Sequence, residues 1–115
     1  MEIFEKDSQL FLKHIDKEQS RFVLLINDAK NDIHNYLDYP ETMPSYMHEK
    51  QLEMIIGELD NMVEDKGQGT FYPYYPKGIV DCWEFDDTLG KKLMQIADIY
   101  SKLRIKARQK NSNPN

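Results

Sequence analysis

Asp86-Asp87-Thr88-Leu89-Gly90-Lys91-Lys92-Leu93-Met94-Gln95-Ile96-Ala97-Asp98-Ile99-Tyr100-Ser101-Lys102-Leu103 carries the plainest pattern in the chain. Leu89, Leu93, Ile96, Tyr100 and Leu103 recur at steps of four and three, which is one face of an α-helix. Acidic Asp86 and Asp87 stand before its first turn, where they suit the positive end of the helix dipole. The basic residues Lys102, Arg104 and Lys106 gather towards its end, which suits the negative one. A helix striped on one side must bury that stripe against others, so the rest of the chain is searched for partners.

Two further segments supply them. From about Ser8 to Leu37, Phe11, Ile15, Phe22, Ile26, Ala29, Ile33 and Tyr36 share a helical face, with Asp7 or Ser8 as a candidate cap. The polar gap at Glu18 and Gln19 predicts a bend or break near residues 17–20. Phe22-Val23-Leu24-Leu25-Ile26 is apolar on all sides, so this half is expected to be the more buried; a buried strand there is the competing reading. Pro40 and Pro44 end the segment. Ser45 is then a candidate cap for a helix whose inner face is Leu52, Ile55, Ile56, Leu59, Met62 and Val63, closed by Gly67. Residues 67–78 mix Gly, Pro and aromatics. An irregular aromatic loop, or a small β-hairpin pairing 70–75 with 79–85 around a turn at Pro76-Lys77-Gly78, is expected there. The expected fold is therefore all-α: a three- or four-helix bundle over residues 1–106, followed by a flexible basic and polar tail at 107–115.

Composition narrows the function classes. The chain has 115 residues, 40% hydrophobic and 30% charged, as expected of one folded domain. Net charge is −5, unevenly spread: all 20 acidic residues lie in 1–99 against ten basic ones, while residues 100–115 hold five basic residues and no acid. An acidic body repels nucleic acid and attracts basic proteins, although charge of this kind also serves solubility alone. The single cysteine, Cys82, permits no internal disulfide and suits a reducing compartment. The acidic first residues do not read as a signal peptide, and no apolar run approaches the ~20 residues that span a bilayer. The expectation is a cytoplasmic protein with no membrane or nucleic-acid partner.

Candidate chemistry is sparse. No Glu-x-x-His or His-Glu-x-x-His pattern occurs. His14, His34 and His48 lie off the apolar stripes, so solvated histidines are expected rather than a metal site. Cys82, between Asp81 and Trp83, reads as a buried structural thiol rather than a nucleophile, since a neighbouring carboxylate raises thiol pKa. The Gly67-x-Gly69 pair completes no phosphate-binding loop. The carboxylates Asp81, Glu84, Asp86 and Asp87 could in principle do acid–base work, but a small bundle seldom offers the cleft that this requires. Neither catalytic residues nor a cofactor are therefore expected.

The aromatic stretch is the strongest functional signal. Phe71, Tyr72, Tyr74, Tyr75, Trp83 and Phe85 fall within 15 residues. Tyr and Trp are favoured interface anchors; the same rings could equally close the open end of the bundle. On the first reading, Tyr72, Tyr74, Tyr75 and Trp83 anchor a protein partner, expected to be basic, and Asp81, Glu84, Asp86 and Asp87 supply the charged rim.

Glu58-Leu59-Asp60-Asn61-Met62, followed after a Gly-containing link by Tyr74-Tyr75-Pro76-Lys77 and Gly78-Ile79-Val80, resembles the bacteriocin immunity proteins that inhibit colicin-type DNases. The resemblance covers about 25 residues. It implies a small acidic four-helix bundle that engages its toxin through an acidic helix and a Tyr-Tyr-Pro element, with Tyr74 and Tyr75 as anchors. The chain departs from that pattern in a longer first helix, a longer last helix and a basic C-terminal end. The alternatives are a helical protein that self-associates through its aromatic region, as a homo-oligomer, and a metal-dependent bundle enzyme.

Overall fold

The computed structural model describes the backbone of residues 2–112 and the side chains of residues 19–109. Four α-helices account for most of it: α1 (Glu2–Asp38), α2 (Glu49–Asp65), α3 (Tyr75–Cys82) and α4 (Thr88–Ser112), with a 3-10 turn at Pro40–Thr42 between the first two. There is no strand among the described residues, so the chain is an all-α bundle.

The apolar faces read from spacing form one core. Phe22, Ile26, Ala29 and Ile33 of α1, Leu52, Ile55, Leu59 and Met62 of α2, and Leu89, Leu93, Ile96 and Tyr100 of α4 are all buried in a single cluster. α1 and α4 run antiparallel: Phe22 stacks on Tyr100 with ring centroids 6.1 Å apart, and Asp28 and Asp32 further along α1 reach back to Lys92 at 2.9 and 2.7 Å. Full burial of side chains of this size is worth about 1.5–3 kcal/mol each. The shared core therefore outweighs partly exposed ion pairs such as Lys92 with its two aspartates, which contribute under about 1 kcal/mol.

Several expectations about elements are corrected. α1 is continuous from Glu2, with neither a break at 17–20 nor a start at Ser8; Phe11, Ile15 and His14 lie outside the described side chains. Its all-apolar run is not uniformly buried: Phe22 and Ile26 face inwards, whereas Val23 and Leu24 are exposed, because partners cover only one side of the helix. Ser45 caps nothing. α2 begins at Glu49, after an extended His48, since Tyr46 and Met47 turn into the bundle and delay the helix. α4 continues through residues 107–112 of the expected tail, and residues 113–115 lie outside the description.

The expected hairpin is a helix. Pro76 stands in the first turn of α3, where the missing N–H is no loss, and the Pro76-Lys77-Gly78 turn is that first helical turn. α2 ends as expected near Gly67, with one refinement. Lys66 takes left-handed geometry (φ 54°) and Gly67 follows at φ 78°. A Cβ on Gly67 would lie 2.9 Å from the backbone nitrogen of Arg104, so only glycine lets this turn sit against α4.

Among the described residues no helix is long and apolar enough to cross a membrane. No group of three His, Cys, Asp or Glu side chains is placed to hold a metal ion there; His34 and His48 are exposed.

Candidate protein-binding face

α3 has eight residues, too few to be stable alone. Its neighbours hold it at both ends. Glu58, a buried carboxylate on the inner face of α2, accepts the amides of Tyr74 (2.7 Å) and Tyr75 (2.8 Å), which are unpaired donors at the start of the helix. Tyr75 threads into the core and donates its hydroxyl to the Leu93 carbonyl of α4 at 2.7 Å. Burial, with the Glu58 charge adding to it, raises the pKa of that hydroxyl. At the other end Trp83 is buried, donates Nε1–H to Gln51 Oε1 at 2.9 Å, and packs against the ring of Tyr46.

The loop leading into α3 is tied down as firmly. The Asp65 carboxylate accepts the Tyr100 hydroxyl (2.7 Å) and the backbone amides of Gly67, Gly69 and Phe71. Burial pushes the Asp65 carboxyl up, but these hydrogen bonds outweigh it and hold the group below its ordinary value. The Tyr100 hydroxyl is pushed up to about 12, by burial first and by Asp65 second, against an opposing pull from Arg104. Arg104 donates to the Phe71 carbonyl and lies 5.2 Å from the centroid of the Tyr72 ring, propping that ring from behind.

These fixtures sort the expected site residues into two groups. Tyr75 and Trp83 are core residues, 1% and 6% exposed, and their rings cannot meet a partner in this conformation. That corrects their reading as anchors, including the part of the family resemblance that rests on Tyr75. Asp87 is likewise engaged: one oxygen caps α4 by accepting the Gly90 amide at 2.7 Å, and the other accepts the Tyr46 hydroxyl, whose pKa rises through that bond first. Cys82 is exposed rather than buried, because Trp83 takes the inward position one residue on.

The second group faces outwards. Tyr72 and Tyr74 are exposed, as are Asp81, Glu84 and Asp86, whose carboxylates make no hydrogen bond or ion pair among the described residues. Two exposed apolar side chains join them that the sequence reading did not single out as anchors: Val80 and, at 98% exposed, Phe85.

Two concavities run along this face. One, of about 820 Å³, lies between α3 and α4, lined by Tyr72, Tyr74, Pro76, Met94 and Ala97 with Lys77, Asp81 and Asp98. The other, of about 440 Å³, is bounded by Ile79, Val80, Phe85 and Lys91 and shares Met94 with the first. The face is thus apolar and aromatic along its length, with exposed carboxylates and the lysines Lys77 and Lys91 interspersed. Chemically it suits an apolar surface carrying positive charge.

No protein-family model, curated protein or solved structure matches the chain.

Proposed function

We propose that the protein is a small acidic binding protein that masks a basic protein partner, acting as an immunity or antitoxin-type inhibitor does, by steering and blocking rather than by chemistry. One observation carries the reading: Tyr72 and Tyr74 stand exposed on a rigidly held loop, beside an apolar groove and the unpaired carboxylates of Asp81, Glu84 and Asp86. Aromatic anchors next to a groove supply the slow dissociation of a tight complex, and free carboxylates supply fast, salt-sensitive association. Holding the loop in place before binding removes most of the ordering cost that a flexible loop would carry. The resemblance around Tyr74-Tyr75-Pro76 points the same way, with Tyr74 as the anchor and Tyr75 as the residue that fixes its position.

The test places a photo-crosslinking phenylalanine analogue at Tyr74 and, in a second chain, at exposed His34 of α1. Irradiation in the host should capture one protein at position 74 and not at 34. With that protein purified, Tyr74→Ala should raise its dissociation rate at least about 30-fold, the kinetic equivalent of about 2 kcal/mol. A partner captured equally at both positions, or bound by Tyr74→Ala as tightly as by the natural chain, would refute the assignment.

A further inference from the structure

Phe85 is the most exposed large apolar side chain in the described structure, and Val80 of α3 is mostly exposed as well. Both border the smaller hollow of the aromatic face, of about 440 Å³. Val80, Glu84 and Phe85 line it from α3 and the residues just after α3; Gly90, Lys91 and Met94 line it from α4. An apolar space of roughly 150 Å³ holds one benzene ring, so a phenyl group fits here with room to spare.

The charges around the hollow are of both signs. Glu84 stands beyond α3 and Lys91 on α4; both are exposed, and neither side chain makes a hydrogen bond or ion pair among the described residues. One patch therefore holds an apolar projection, a hollow that fits it, an acid on one border and a base on the other. Such a patch is complementary to itself. A second copy turned over about a twofold axis along the hollow lays the α3 side of each on the α4 side of the other. Phe85 then meets the other copy's hollow, and Glu84 meets the other copy's Lys91. The hollow beside exposed Leu24 on α1 lacks this property: Lys66 borders it, but no acid does.

We infer that two copies of this chain pair through this patch, Phe85 of each entering the hollow between α3 and α4 of the other, with Glu84 of each against Lys91 of the other. The contact uses the same surface on both copies, so it closes as a dimer rather than extending as a filament. It centres on one ring and one charge pair, repeated twice, which is small beside the roughly 800 Å² per partner of a standard interface. The dimer is accordingly weak and concentration-dependent. Tyr72 and Tyr74 lie at the other end of α3, roughly 12 Å away at 1.5 Å per residue, and stay open. The pairing thus stands apart from the proposed inhibitor role, and a dimer presents two copies of that loop.

Sedimentation of the full chain tests the pairing, with reductant present because Cys82 is exposed. The expected result is a species of twice the chain mass that accumulates through the micromolar range. Phe85→Ser should weaken it at least about tenfold without changing the melting temperature. Leu24→Ser, which removes an exposed apolar side chain elsewhere, should leave it unchanged. Glu84→Lys in one chain and Lys91→Glu in another should each weaken self-pairing at least about tenfold, since each sets like charges against one another twice. Mixing these two variants should restore pairing, because both contacts of the mixed dimer again join opposite charges. If a charge reversal lowers the melting temperature, the Phe85→Ser and Leu24→Ser pair carries the test. A chain still monomeric at millimolar concentration overturns the inference. So does a dimer that Leu24→Ser weakens as much as Phe85→Ser, folded charge variants that pair no better mixed than alone, or an open-ended ladder of masses.

Discussion

Tyr75 shows at the level of one residue what holds the aromatic face in place. Its ring fills the core and its hydroxyl reaches a helix carbonyl, so the two substitutions at this site separate the two roles. Tyr75→Ala should cost about 3–5 kcal/mol in urea unfolding, the usual loss for a large aromatic in a core. Tyr75→Phe should cost only about 0.5–1.5 kcal/mol, the net worth of one hydrogen bond. Equal losses would mean that the hydroxyl, not the ring, fixes α3. Asp65 gives a pH-dependent counterpart. Its folded carboxyl lies below the ordinary value, so its contribution is fully present above the unfolded pKa of about 4 and is lost as pH falls through the folded pKa. The stability difference between the natural chain and Asp65→Asn should therefore be constant near neutrality and shrink below about pH 4. A difference that grows in acid would show the sign to be wrong.

Among elements, the helices differ in how plainly the sequence declares them. α4 and α2 were legible because each buries a stripe at helical spacing; most of each stripe is buried in the structure, with Ile56, Val63 and Leu103 partly buried at its margin. α3 was not. Pro73 and Pro76 and the run of aromatics leading into it suggest a loop or hairpin, although Tyr75, Ile79 and Trp83 do recur at steps of four. That short pattern went unnoticed because what stabilises α3 is remote in sequence: Glu58 lies on α2, and a lone acid on an apolar stripe looks like a defect until its partners are seen. Phe85 reads in the sequence as one of six neighbouring aromatics; local spacing cannot say which of these rings a tertiary contact buries, and Phe85 is left exposed. The α2–α3 link makes a prediction of its own. Gly67→Ala would force a side chain into left-handed backbone and against the backbone of α4, and should cost about 1–3 kcal/mol in thermal or urea unfolding. A neutral result would mean that α4 shifts freely away from the turn.

On the scale of the whole molecule, charge and shape act together. On the proposed function, the field of the acidic body would draw a basic partner from a distance and the aromatic face would hold it. Replacing Asp81, Glu84 and Asp86 together by their amides should slow association with the partner severalfold at low salt and much less at high salt, while changing dissociation little. Stopped-flow rates at two ionic strengths read this directly. A change confined to the dissociation rate would make these carboxylates close contacts rather than steering groups. The all-α class follows from the spacing of apolar residues; which aromatics and acids stand exposed together on one face needed the fold.

The double hydrogen bond from Glu58 to the start of α3 has a kinetic consequence. A helix of eight residues whose first amides rest on a remote carboxylate can come loose without the bundle unfolding, at the cost of withdrawing Tyr75 and Trp83, so the chain has a partly open state with a free energy of its own. Amide hydrogen exchange should report it: the protected amides of α3 should exchange together, faster than those of α2 and α4 beneath them. Glu58→Gln keeps the size of the side chain but removes its charge and one of its two acceptors. It should lower the opening energy of α3 by about 1–3 kcal/mol, through a change local to this segment. If α4 amides accelerate by the same factor, the two helices open as one unit. If only α3 responds, the surface that presents Tyr74 is a plate that lifts as one piece, with Glu58 as one of its latches.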